Sequence, residues 1–158
     1  MDDKTKKLRD IKISSKQSND YFVVSFRIMG DEVEPPELTA QLGISPSKAH
    51  RKGDTSASKT KKGKIVTYAP FNSGLWSIDS QVDVTSTLKE HLVNIIEHLE
   101  PKKDVLSKLK KEGFKMDFFC GYFFSTSIQV CISLDNDILE RLSELGIEFN
   151  MLLYPQQF

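Results

Sequence analysis

The single tryptophan, Trp76, sits in the run Gly-Leu-Trp-Ser-Ile-Asp-Ser at residues 74–80, where three compositions meet. Strand patterns, turns and a basic stretch precede it. A long amphipathic helical region and further strand patterns follow, and all of these need an apolar face to pack on. Strand alternation puts Trp76 and Ile78 on one face and Leu75 on the other. The run is therefore expected to supply part of that face, with Trp76 buried beneath a helix carrying Leu88, Leu92 and Ile95. The chain has 158 residues, enough for a single domain to bury roughly 68–70% of its unfolded surface without a disulfide or metal.

Two other runs alternate strongly. Residues 21–29 place Phe22, Val24, Phe26 and Ile28 on one face and Ser25 and Arg27 on the other, and Gly30 ends the strand. Residues 114–124 place Phe114, Met116, Phe118, Cys120, Tyr122 and Phe124 on one face. The opposite face changes from Lys115 and Asp117 to Phe119, Gly121 and Phe123, so its second half must be covered or form an adhesive surface. Ser125-Thr126 predicts a hairpin into a strand over 127–134, at the centre of the sheet. Shorter strands are expected at 64–68 and 148–154.

Helix signals lie between the strands. Pro36 and Gly43 bracket a short helix whose Leu38 and Leu42 face the sheet, with Asp31, Glu32, Glu34 and Glu37 at its N-terminal end. Thr87 and Glu90 have capping-box spacing ahead of the stripe Leu88, Leu92, Ile95, Ile96 and Leu99. Pro101 predicts an interruption, and 104–112 a second helix with Val105, Leu106 and Leu109 inward. The last helix, 136–145, turns Ile138, Leu139, Leu142 and Leu145 inward and ends at Gly146.

The expected order is β-α-β-β-α-α-β-β-α-β. This is an α+β fold with an antiparallel or mixed sheet and helices mainly on one face. Its first six elements match the ferredoxin-like β-α-β-β-α-β order, extended by a further β-α-β. Residues 1–20 read as a mobile polar segment, with a short strand at 9–14, and 21–158 as one α+β domain.

Lys plus Arg and Asp plus Glu both total 22, so any electrostatic partner must be met by a local patch. One candidate is the acidic cluster Asp31, Glu32, Glu34 and Glu37. Another is the run from 48 to 64, read as a mobile basic loop with Lys48, Arg51, Lys52, Lys59, Lys61, Lys62 and Lys64 against Asp54 alone. Its lysines suit phosphates, with Tyr68 and Phe71 nearby for stacking.

Catalytic constellations are weak. His91 and His98 share a helix but stand about 10 Å apart, too far to ligate one zinc. Cys120 lies among aromatics that raise a thiol pKa, and both it and Cys131 are expected to be buried and reduced. An enzyme would require distant residues such as His50, Tyr68 and Asp79 to converge in one pocket. No metal, cofactor, apolar membrane span or signal peptide is indicated, and the expected address is the cytoplasm.

The strand ending in Gly30, the Leu42-Gly43-Ile44-Ser45-Pro46 turn, Gly53, the Trp76 strand, the Leu88 to Leu99 helix and the Leu142 to Tyr154 ending together resemble an uncharacterised bacterial family, domain of unknown function 4279. The resemblance spans residues 21–155 and implies no activity or catalytic residue. By analogy with other small cytoplasmic proteins, an immunity protein that neutralises a toxin is one expectation. The chain is thus expected to be a non-enzymatic interaction domain whose partner is another protein. Its contact would be the acidic cluster or the aromatic face at Phe119 and Phe123, with Trp76 as a structural residue. Nucleic-acid binding through 48–64 is the alternative.

Overall fold

The computed structural model describes residues 20–125 and 130–157. Within them β1 (Tyr21–Gly30) is followed by α1 (Pro35–Leu42), β2 (Lys48–His50), β3 (Ala57–Lys59), β4 (Ile65–Thr67) and β5 (Gly74–Asp79). Then come α2 (Leu88–Leu99), a 3-10 turn (Glu100–Lys102), α3 (Lys103–Lys111), β6 (Lys115–Ser125), α4 (Asn136–Leu145) and β7 (Glu148–Gln156). Five strands form one mixed sheet in the order β2-β5-β1-β6-β7, and β3 and β4 form a separate two-stranded ribbon. All neighbours in the main sheet are antiparallel except β6 and β7, which run parallel.

Cross-strand register explains the core. Phe26 stands opposite Ile78 on one side and Phe118 on the other, and Ile28 opposite Trp76 and Met116. These side chains share one cluster with Leu38, Leu42, Leu92, Ile95, Leu99, Leu106, Leu109 and Ile138, so the helices pack on one face of the sheet. The capping box at Thr87 and Glu90 starts α2 as expected. Gly43 and Gly146 adopt left-handed conformations just past α1 and α4, which glycine enters without a Cβ penalty. Gly74 is required for a different reason: a Cβ there would lie 2.5 Å from the Val33 Cβ and 2.8 Å from the Gly30 carbonyl.

Trp76 is fully buried, at 0% exposure. Its indole N–H donates to Thr39 Oγ1 at 3.0 Å, which ties β5 to α1, a contact that the expected position under α2 does not include.

Several expectations are corrected. Residues 130–135 form no strand, because β6 is already paired on one edge with β1 and on the other with β7. The rest of the expected hairpin, 126–129, lies outside the described residues, as does the short strand at 9–14. The basic stretch is not simply a loop, since it contains β2, paired to β5, and β3, paired to β4. Leu139 is 49% exposed, because Ile138, Leu142 and Leu145 already define the inward stripe and position 139 lies about 100° further round the helix. Val105 is half-buried, and Cys131 is exposed rather than buried.

His91 borders the core at 2% exposure. Its Nδ1 is 2.9 Å from Ser80 Oγ, and its Nε2 has no hydrogen-bond partner among the described residues. Burial lowers its pKa. The Val84 carbonyl, which accepts from the Phe22 N–H at 2.9 Å, and the nearby Glu90 and Asp83 offset this only in part.

Two outcomes are expected. Trp76→Ala should cost about 3–5 kcal/mol in urea denaturation, since it opens a cavity and removes the donor to Thr39. For His91 the folded pKa lies below the unfolded value of about 6.5, so its stabilising contribution is full above about pH 6.5 and is lost as pH falls through the folded pKa. Denaturation midpoints of His91→Leu should therefore fall less steeply than those of the parent on acidification from neutral pH.

Candidate binding surface

Among the described residues, the helices leave the second face of the sheet without a helical cover. Register lays this face out in rows. Ser77, Arg27, Asp117 and Glu148 form one row, and Asp79, Ser25, Phe119 and Asn150 form the next. Val23, Gly121 and Leu152 follow, and then Tyr21, Phe123 and Tyr154. The change from charged to aromatic side chains seen along β6 alone thus continues across its neighbours, giving a surface that is polar at one end and aromatic at the other.

At the polar end Arg27 makes a two-pronged contact with Asp117. Nε donates to Oδ1 at 2.8 Å and Nη2 to Oδ2 at 2.6 Å, the geometry that suits guanidinium to carboxylate. Asn150 Nδ2 adds a hydrogen bond to Oδ2 at 2.9 Å. The guanidinium also lies 4.4 Å from the Phe119 ring centroid, within reach of a cation–π attraction. Asp117 is only 5% exposed. Burial pushes its carboxyl up, but the Arg27 and Asn150 hydrogen bonds outweigh this and hold it below the usual carboxylate range. Beside this group, Ser25 Oγ donates to Asp79 Oδ1 at 2.7 Å.

At the aromatic end, Phe123 stacks on Tyr21 and on Tyr154, with centroids 4.5 Å apart in both pairs. Gly121 makes room for this row, since a Cβ there would meet the Phe123 ring at 3.3 Å and the Tyr154 ring at 3.4 Å. Val23 and Leu152 are exposed next to the rings.

An open cleft of about 550 Å³ borders the polar end, lined in part by Met29, Lys115, Asp117, Glu148 and Asn150. Asp117 is not a free base in it, because both of its oxygens already accept hydrogen bonds. Cys120 faces the core, and burial pushes its thiol up to about 12. His98 is exposed while His91 is buried. The three groups on which an enzyme reading depends are engaged separately: His50 stacks on Phe71, the Tyr68 hydroxyl is 2.9 Å from Ser58 Oγ, and Asp79 accepts from Ser25. Among the described residues no group of three or more His, Cys, Asp or Glu side chains is placed to hold a metal.

The two charged candidates face each other. Arg51 pairs with Glu34 at 2.5 Å and Lys52 with Asp31 at 2.5 Å, so α1's acidic end and the start of the basic stretch neutralise one another in part. Glu32, Glu37 and Lys48 are exposed. Lys59, Lys61, Lys62 and Lys64 lie apart from these pairs, on the β3–β4 ribbon. Phe119 and Phe123 are on the open face as expected. Tyr21, Arg27, Asp117, Asn150 and Tyr154 belong with them and are new to the site. A buried Asp in an aromatic strand was the available signal, but its Arg partner 90 positions away depends on strand pairing.

A family model described as Domain of unknown function (DUF4279) matches residues 19–156. The chain belongs to this family. No curated protein and no solved structure matches it. The match takes in every described strand and helix of this DUF4279 chain, including all five strands of the open face.

Asp117→Asn should destabilise the DUF4279 chain by about 2–3 kcal/mol at neutral pH. This is below the range for a fully buried pair, because the Arg27 side chain is 30% exposed. A carboxyl held below its unfolded pKa of about 3.9 loses its contribution as pH falls through the folded value. The gap between variant and parent in denaturation midpoints should therefore narrow under strongly acidic conditions.

Proposed function

We propose that this chain is a non-enzymatic protein-binding domain whose contact surface is the helix-free face of the sheet. The row Tyr21, Phe123 and Tyr154, drawn from three adjacent strands and flanked by exposed Val23 and Leu152, is the observation that carries this reading. Aromatic rings locked by stacking lose little conformational entropy on binding, and aromatic and Arg side chains are those that dominate interface energetics. The Arg27–Asp117–Asn150 group offers a rigid polar margin to the same surface. The acidic cluster is a weaker candidate, since two of its members are already paired.

The specific form of the proposal is a cytoplasmic immunity protein that caps a toxin, supported by the analogy with small proteins of that kind. The ferredoxin-like form of the fold also belongs to the proposal. It is supported by β5 and β6 running parallel on either side of antiparallel β1, with α2 and α3 in the crossover between them.

Affinity capture from the native host tests this with two variants, Val23→Glu and Leu152→Glu, which place charge on the face without entering the core. Each should weaken recovery of the partner at least about tenfold, the cost of about 1.4 kcal/mol at a contact. Lys103→Glu, on the exposed surface of α3, should leave recovery unchanged. Equal recovery by all three folded variants, or turnover of a substrate in a metabolite screen with no partner recovered, would overturn the proposal.

A further inference from the structure

The β3–β4 ribbon leaves the sheet from its β2–β5 side, while the aromatic row of the open face ends on β7 at the opposite edge. It is therefore independent of the surface proposed above. From Thr55 to Ile78 the sequence contains Lys59, Lys61, Lys62 and Lys64 and no acidic residue. None of the four lysines forms an ion pair with a described residue, whereas Arg51 and Lys52 at the ribbon's base are held by Glu34 and Asp31. These pairs tie the approach to the ribbon to the segment before α1, and no described acidic residue pairs with the charge beyond them.

The ribbon has a defined shape. Thr60 N–H donates to the Lys64 carbonyl and Gly63 N–H to the Thr60 carbonyl, each at 2.8 Å. Gly63 has φ +80°, the left-handed conformation required in a short hairpin turn of this kind. Lys61 and Lys62 are thereby held at the tip. Tyr68 N–H donates to the Ser56 carbonyl at 2.8 Å, and Phe71 N–H to the Asp54 carbonyl at 3.0 Å, so pairing continues to the base. Tyr68 is 53% exposed as a residue, and its hydroxyl lies 2.9 Å from Ser58 Oγ on the partner strand. Lys64 precedes β4 and Tyr68 follows it, so the ring lies at the far end of that strand from the lysine. Phe71 is less available, because His50 stacks on it with centroids 3.5 Å apart.

We propose that this ribbon is an arm that binds single-stranded nucleic acid, with Lys59, Lys61, Lys62 and Lys64 meeting phosphates and the Tyr68 ring taking an unstacked base. Clustered lysines without intervening acids suit a polyanion. An exposed ring adds a stacking site that only a base outside a duplex can use. A lipid surface fits less well, since Ile65, at 70%, is the one exposed large hydrophobic side chain on the two paired strands, and interfacial anchoring requires a larger apolar area.

The test is fluorescence anisotropy of the full chain with a labelled mixed-sequence single-stranded DNA, compared with its duplex and with phosphatidylserine vesicles. Single strands should bind best, with log affinity falling against log salt at a slope of about −0.7 per phosphate contact, or about −3 for four contacts. Replacing all four lysines with Ser should flatten the slope and weaken binding at low salt at least about tenfold. Tyr68→Ser should weaken binding about tenfold with the slope retained. Should the fourfold variant fail to fold by circular dichroism, the tip pair Lys61→Ser and Lys62→Ser repeats the test and should remove about half the slope. The proposal is overturned by absence of binding at low salt, by equal binding of the lysine variants, or by preference for the duplex or for vesicles.

Discussion

β1 is hydrogen-bonded along both edges, to β5 and to β6, and this double pairing transmits its two-residue alternation to the rest of the sheet. Phe26 stands between Ile78 and Phe118 on the helical side, while Arg27, one position on, stands between Ser77 and Asp117 on the other. A slip of one residue in either pairing would carry an apolar ladder into water and a charged group into the core. The Arg27–Asp117 contact and the Phe26–Phe118 contact therefore enforce the same register from opposite faces. The parallel addition of β7, returned by α4, continues both ladders through Phe149 on the core side and Asn150 on the open side.

The distribution of charge follows from how the chain folds back on itself. Equal totals of acid and base conceal a local arrangement in which α1's acidic end meets the first part of the basic stretch. Exposed ion pairs of this kind contribute about 0–1 kcal/mol each, so their consequence lies less in stability than in deciding which charges are spent internally. Asp31, Glu34, Arg51 and Lys52 are spent in this way, and the lysines of the ribbon are not paired with any described acidic residue. The aromatic row is set apart similarly: Phe123 and Tyr154 fold over Gly121 instead of into the core, and their rings stack on each other outside it.

Belonging to the DUF4279 family relates this arrangement to a domain rather than to a reaction. The Asp117 carboxylate accepts three hydrogen bonds from Arg27 and Asn150, the Cys120 thiol is buried, and His91 borders the core.

The sequence by itself determined the elements whose signals are local. The alternation of β1 and β6, the Thr87 capping box, the Leu88 to Leu99 stripe, the Pro101 interruption and the burial of Trp76 each depend on periodicity or steric preference within a few residues. Residues 130–135 misled because alternation shows that a segment suits a strand, not that a free edge awaits it, and β7 had taken that edge. β4 was legible within the strand expected at 64–68, but its partner β3 was hidden, because Ala, Ser and Lys at 57–59 carry little hydrophobic pattern. Only tertiary structure decided the open face, where Arg27 and Asp117 lie 90 positions apart and Phe123 meets Tyr21 and Tyr154 through strands from both ends of the chain. Such contacts are set by which strands pair and in what register, and that choice is made by the packing of the whole core.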